Sequence, residues 1–261
     1  MNRPDQLEVH VAHACNYSCE SCSHFSQFHV PGMLSLEIAE EWYKTWSLRL
    51  NPRLFTLLGG EPTINPKLAE HVDLAARYWP RSKIRVTTNG TLLHRHSELP
   101  KVLSKIPHHV LQLSKHYRGV DFDKQFTSIV ALCQQWKNTY GINYVIRNSF
   151  ANWTRRYTEE DRTIHPFTDN NPRQSWVNCS CRKCVELHDG RLWKCPIVAY
   201  LFLIKNQLNL SEEWLPYLTY KSLDPNCSDL ELDQFLTKEE EPICGMCPAY
   251  SRPFIKPDPR R

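Results

Sequence analysis

Three cysteines in one short stretch, Cys15-x3-Cys19-x2-Cys22, constrain this chain more than any other feature. The residues just before them, Leu7-Glu8-Val9-His10-Val11, alternate apolar and polar side chains with a period of two. That period marks a strand, so the cysteines fall on a loop at a strand end. Three thiolates on one loop can hold three corners of an iron–sulfur cubane and leave the fourth iron without a protein ligand. Thiolate ligation selects iron–sulfur or zinc over harder metals, and a zinc knuckle is the alternative. The chain carries eleven cysteines, an odd number that does not suit a disulfide framework. Its opening, Met1-Asn2-Arg3-Pro4-Asp5, lacks the apolar core of a secretory signal, so a cytoplasmic location is expected. No window approaches the roughly eighteen consecutive apolar residues of a membrane span. A formal net charge of +4, with no Lys/Arg-rich run, gives no sign of nucleic-acid binding.

Strand and helix patterns alternate after the cysteine loop. Ser35 can cap a helix in which Ile38, Trp42 and Trp46 recur every fourth residue as one buried face. A strand over 54–58 ends at Gly59-Gly60-Glu61-Pro62. Asn65-Pro66 then pairs an N-cap with proline at the first helical position, ahead of the stripe Leu68, Val72, Ala75 and Trp79. Strands are expected over 83–87, 110–114 and 142–146. A short helix lies over 102–106. A longer one, opened by Asp121, bears Phe122, Phe126, Ile129, Val130 and Cys133 and ends at Gly141. Such alternation implies βαβ units and a parallel sheet. The rhythm stops near residue 150. Residues 151–178 read as a connecting segment without period, and 179–261 as a small C-terminal module. In that module Asp189-Gly190 marks a two-residue hairpin turn, and helices are expected over 197–204, 211–218 and 228–236.

On the CxxxCxxC spacing of Cys15, Cys19 and Cys22 at the end of a first strand, the chain resembles the radical S-adenosylmethionine (SAM) superfamily. The resemblance implies an α/β partial (β/α) barrel of about five to six parallel strands over residues 1–150. It also implies a [4Fe–4S] cluster whose open iron chelates the amino and carboxylate groups of SAM. Gly59-Gly60-Glu61-Pro62 matches the superfamily's GGEP element, which binds the methionine amino group. Small residues there let backbone approach a ligand, and the Glu61 carboxylate can accept hydrogen bonds from an ammonium. Thr87-Thr88-Asn89-Gly90 resembles the TNG element, so Thr87 and Asn89 join the expected SAM contacts. Ser114, with Gln112 and Lys115, leaves the fourth strand where relatives place further contacts, and Arg147 and Asn148 follow the fifth. One departure stands out. The residue before the third cysteine is usually an aromatic lying against the SAM adenine, and here it is Ser21, leaving His24 or Phe25 to take that contact.

Cys179, Cys181, Cys184 and Cys195 surround the Gly190 hairpin, and Cys227, Cys244 and Cys247 follow. This pattern resembles the SPASM and twitch extensions of radical SAM enzymes, which hold auxiliary [4Fe–4S] clusters. No cysteine follows Cys247, so the shorter twitch form is expected, with one cluster on Cys179, Cys195, Cys244 and Cys247. Cys181 or Cys184 can replace Cys179 in that set. A zinc ribbon from Cys181-x2-Cys184 and Cys244-x2-Cys247 is the alternative. Cys133 belongs to a core, and Cys227 is a surface thiol or a hydrogen-atom donor.

By resemblance, the chain is expected to cleave SAM reductively to a 5′-deoxyadenosyl radical that abstracts a hydrogen atom from its substrate. A flavodoxin- or ferredoxin-type donor would supply the electron. An auxiliary cluster would accept the electron left after hydrogen loss, making the reaction a two-electron oxidation of a small polar, sugar-like metabolite in a biosynthetic pathway. Radical crosslinking, epimerisation or excision in a ribosomally made peptide stands second, because fourteen residues before Cys15 leave no room for a leader-binding domain there. A non-catalytic zinc or iron–sulfur module stands third. His116, Tyr117, Arg118, Trp153, Arg155 and Arg156 are candidates either for a substrate pocket or for solvated surface.

Overall fold

The computed structural model describes residues 2–160, 163–205 and 207–260. Five strands alternate with helices through the first part of the chain: β1 (Gln6–Ala12), α1 (Leu36–Ser47), β2 (Leu54–Gly59), α2 (Leu68–Tyr78), β3 (Lys83–Thr88), α3 (Leu99–Leu103), β4 (His109–Lys115), α4 (Val120–Tyr140) and β5 (Tyr144–Asn148). There follow β6 (Thr158–Glu160), β7 (Thr163–His165), α5 (Pro172–Asn178), β8 (Cys184–His188), β9 (Arg191–Trp193), α6 (Pro196–Ile204), β10 (Asn209–Leu210), α7 (Leu215–Leu218) and α8 (Asp229–Thr237). The main sheet has the order β5-β4-β3-β2-β1-β8-β9. Its first six strands run parallel and β9 turns back antiparallel. This is the expected α/β architecture. The hairpin of the C-terminal segment joins the same sheet, Glu8 of β1 pairing with Glu186 of β8. Asp189 (φ 51°) and Gly190 (φ 68°) make its turn, both in the left-handed region that a two-residue hairpin loop demands. The Trp46 indole N–H donates to the Gly190 carbonyl at 2.8 Å, fastening α1 to that turn.

Both faces of β1 are covered. Leu7, Val9 and Val11 pack outward against the helices with Trp46, Phe55 and Trp79, each such large apolar side chain contributing about 1.5–3 kcal/mol. The other face carries Gln6, Glu8 and His10, and it looks into the molecule. The alternation therefore separates core from cavity, with neither face given to solvent. A second core forms around α6 from Phe25, Tyr157, Ile164, Trp193, Tyr200 and Trp214.

Several expected boundaries move. On α1 the buried residues are Ala39, Tyr43 and Trp46, while Ile38 is 46% exposed. Strict steps of four drift by about 40° each around a helix, and the 4-then-3 spacing stays on one face. Helix α2 starts at Leu68, because Asn65 is committed elsewhere: its Nδ2 donates to the Val11 carbonyl (2.9 Å) and its Oδ1 accepts from the Lys67 N–H (2.9 Å). The fifth strand starts at Tyr144, since Ile142 is buried in the core beyond the Gly141 cap. The short helix lies at 99–103, three residues early. The connecting segment is more ordered than its composition suggests: β6 and β7 pair with each other, β10 adds to β7, and α5 precedes the cysteines. Among the described residues, no helix is long and apolar enough to cross a membrane.

Candidate functional site

A cavity of about 720 Å³ runs along the inner face of the sheet. Cys15, Cys19 and Cys22 line it, and so do Gly59, Gly60, Glu61, Thr87, Asn89 and Ser114, whereas Lys115 is not among its lining residues. Gln112, Arg147 and Asn148 line it too. Of the six candidates for a substrate pocket, His116, Trp153 and Arg156 line the cavity, whereas Tyr117, Arg118 and Arg155 are not among its lining residues.

The cysteine loop is held from four sides. The Gly60 N–H donates to the Ala12 carbonyl and the Glu61 N–H to the Ala14 carbonyl, each at 2.9 Å. A Cβ on Gly59 or Gly60 would collide with those same carbonyl oxygens, so here the small residues let the end of β2 close against the loop. Asn16, inside the loop, accepts a hydrogen bond from the Asn89 amide at 2.8 Å and donates to Thr91 Oγ1 at 2.7 Å. A ring nitrogen of His29 lies 2.8 Å from the Cys15 carbonyl. Ser21, in the left-handed region (φ 56°), accepts from the backbone N–H groups of Arg156 (2.6 Å) and Tyr157 (3.3 Å). Where relatives carry an aromatic, this chain has an anchor. Phe25 is likewise spoken for, stacked on Tyr157 with ring centres 5.1 Å apart in the second core, whereas His24 lines the cavity.

Glu61 is fully buried and its carboxylate accepts four hydrogen bonds: from the Thr63 N–H (3.1 Å) and hydroxyl (2.5 Å), the Thr88 hydroxyl, and the Asn89 N–H (2.8 Å). Four is about the acceptor capacity of a carboxylate, so in this structure Glu61 ties the end of β2 to the end of β3. Burial still raises its pKa despite those bonds. Cys15 and Cys19 are also held up by burial, Cys19 to about 11 even with Lys256 beside it. Cys22 lies below its usual value: burial opposes this, but hydrogen bonding to His24 and the His24 charge outweigh it. A cationic metal centre deprotonates its thiol ligands on binding, and three thiols on one loop lining the cavity are the donors it needs. The three-thiol donor set thus fits an iron–sulfur cluster.

The sequence marks His116 only as a candidate pocket residue, and beside it in the structure stands Lys256. The His116 ring nitrogen lies 3.5 Å from Cys19 Sγ and 3.2 Å from Lys256 Nζ. Burial, then the charges of Lys256 and Arg147, hold the His116 pKa down to about 3, so this imidazole is neutral. Lys256 itself is buried, its ammonium 3.6 Å from the centre of the Trp153 ring, a cation–π contact in a desolvated place. No local pattern marks Lys256, which arrives from the last turn of the chain.

The second cysteine group is assembled from three segments. Cys179, Cys181 and Cys184 lie on the turn entering β8, Cys195 at the start of α6, and Cys244 and Cys247 on a C-terminal 3-10 turn. Hydrogen bonds from Cys179 and Cys184 push the Cys181 thiol well below its usual pKa, aided by Arg156. The charge of Cys181 also bears on Cys195 and Cys247. Cys181 and Cys184 line the same cavity as the first cysteine group. Cys133 is buried in the core as expected, and Cys227 accepts from Arg49 at 3.3 Å, apart from both groups.

No family model matches the chain. It is 30% identical over 103 residues to a GTP 3′,8-cyclase of Microcystis aeruginosa, a match that takes in 38% of this chain and 31% of the cyclase. The chain thus spans about a third of that relative's length. Among solved structures it is similar to anSMEcpe with bound AdoMet and a Cp18Cys peptide (24% identity, 55% of this chain, 42% of the other, TM-score 0.42). It is also similar to BtrN in complex with AdoMet and 2-DOIA (17%, 74% and 73%, TM-score 0.45) and to Streptococcus suis SuiB bound to its precursor peptide SuiA (16%, 58% and 35%, TM-score 0.43). With its CxxxCxxC loop on the end of β1, this chain resembles the radical SAM superfamily.

Proposed function

We propose that the chain is a radical SAM oxidoreductase acting on a small polar, sugar-like metabolite, with an electron donor of the flavodoxin or ferredoxin type. One observation carries the reading: Cys15, Cys19, Cys22, the Gly59–Glu61 turn, Cys181 and Cys184 all line a single cavity. A [4Fe–4S] cluster on the first three cysteines supplies, when bound, the electron that splits SAM into methionine and a 5′-deoxyadenosyl radical able to take a hydrogen atom from the substrate. The chain's own residues position and exclude. Thr87, Asn89 and Ser114 offer polar atoms at the strand ends, where relatives contact SAM, and the turn at Gly59 and Gly60 offers backbone to its methionine part. Trp153, stacked under Lys256, closes the wall beside His116.

The remaining lining supports a polar substrate: Gln112, Arg147, Asn148, Thr154 and Arg156 converge from different elements. A volume of about 720 Å³ must take SAM as well, which favours a small molecule over an extended peptide. We assign Cys195, Cys244 and Cys247 to an auxiliary [4Fe–4S] cluster that takes up the electron left after hydrogen loss. Cys179 is the fourth ligand in this reading, with Cys181 and Cys184 on the same turn as the alternatives.

The test is anaerobic reconstitution with iron and sulfide, then dithionite and SAM. Release of 5′-deoxyadenosine is expected, with deuterium carried into it from a deuterated polyol or amino-sugar substrate. A folded, iron-loaded protein that releases none would end the enzymatic reading, and deuterium transfer from a peptide alone would overturn the substrate class.

A further inference from the structure

We propose that Glu8, His24 and Glu186 form a site for one divalent transition-metal ion, with donor atoms distinct from the cysteine thiols but adjacent to both cysteine groups. Glu8 and Glu186 are register partners on neighbouring parallel strands, so their carboxylates stand side by side on the cavity face of the sheet. His24 reaches them from the cysteine loop. One donor atom from each of the three lies within 4.8 Å of the others. Three donors bonded to one ion at about 2.0–2.2 Å in tetrahedral geometry stand about 3.3–3.6 Å apart, so the side chains must close by up to about 1.5 Å to seat it.

Burial argues that something occupies the place between them. Glu8 and Glu186 are 5% and 0% exposed, and two adjacent buried carboxylates are costly unless a positive charge or a shared proton offsets them. Arg85 Nη2 stands 3.6 Å from Glu8, and the charge of a protonated His24 also bears on that carboxylate, a proton that a bound divalent ion would replace. The atoms facing the gap have nothing to bond: Glu186 Oε1 and His24 Nε2 are both fully buried and without a partner. Their other atoms are held. The Tyr200 hydroxyl donates to Glu186 Oε2 at 3.0 Å, and the Gln6 amide donates to Glu8. His24 Nδ1 lies 3.4 Å from the Ser23 hydroxyl. Ligands oriented by outer partners in this way are the usual setting of a metal ion.

The donor set selects the ion. Two carboxylates and an imidazole suit Mn²⁺, Fe²⁺ or Zn²⁺, and two negative charges balance a divalent cation. Glu8 and His24 line the cavity, so an ion there would have an open side toward the substrate, where a hydroxyl or amine could bind it. The site does not depend on the radical reaction and is testable without it.

The probe is Mn²⁺, which has little affinity for thiolates, titrated anaerobically into iron–sulfur-loaded protein. Wild type is expected to retain about one Mn²⁺ per chain, with nitrogen coupling from one imidazole in its pulsed EPR spectrum. Glu8→Gln and Glu186→Gln should bind at least about tenfold more weakly, a loss that outer-sphere changes alone can reach, with iron content and circular dichroism unchanged. Wild type that retains no Mn²⁺, bound Mn²⁺ without nitrogen coupling, or folded glutamine variants that bind as tightly would each overturn the site and leave a carboxyl pair sharing a proton. The wild-type measurements decide even if both variants fail to fold.

Discussion

The two cysteine groups both reach one cavity, the second through Cys181 and Cys184, and they are built in opposite ways. The first is local: three thiols within a short loop, fixed by the ends of β2 and β3 through Gly60, Glu61 and Asn89. The second is gathered from the turn before β8, the start of α6 and the C-terminal 3-10 turn, so its geometry depends on the packing of α6 and the second core. A loop pinned at several points tolerates loss of distant structure, and a site assembled from far-apart segments does not. The first group therefore holds its geometry through the sheet, and the second through the whole fold of residues 150–250.

That contrast can be attacked directly. Replacing Cys15, Cys19 and Cys22 with Ala has the largest expected effect: iron falls by about four per chain and 5′-deoxyadenosine release disappears. Cys195→Ala or Cys247→Ala also removes about four irons, yet leaves the release of 5′-deoxyadenosine in the absence of substrate measurable. Equal loss in both sets would erase the functional difference between the groups. Gly60→Ala forces a Cβ into the Ala14 carbonyl and should cost about 3 kcal/mol in urea denaturation, with a lower occupancy of the first cluster only. Ser21→Ala leaves the Arg156 and Tyr157 N–H groups short of a partner, for about 1–3 kcal/mol. The smallest effect belongs to Ser228→Ala, which removes the capping box of α8 for about 1 kcal/mol and should leave iron content and turnover alone.

How much of this could be read from the chain follows the same division. The strand, the cysteine spacing, the Gly-Gly-Glu turn and the Thr-Thr-Asn turn are each short and contiguous, and the structure brings them to one cavity. The Asp189-Gly190 hairpin was also legible, since turn chemistry is local. Alternation along β1 gave the strand, but not that Glu8 and His10 point into a buried interior; periodicity reports two faces without saying what covers them. Strands as short as β6, β7 and β10 carry too few residues to show any period. Lys256 beside His116, and the pairing of Glu8 with Glu186, depend on contacts between residues far apart in the chain and leave no local trace.

The most direct probe of the account is the EPR spectrum of the reduced protein with and without SAM carrying 15N in its amino group. If the loop at Cys15, Cys19 and Cys22 leaves an iron open to a ligand, SAM will change the cluster signal and 15N hyperfine coupling will appear. An unchanged signal without nitrogen coupling, or zinc in place of iron on those cysteines, would contradict it.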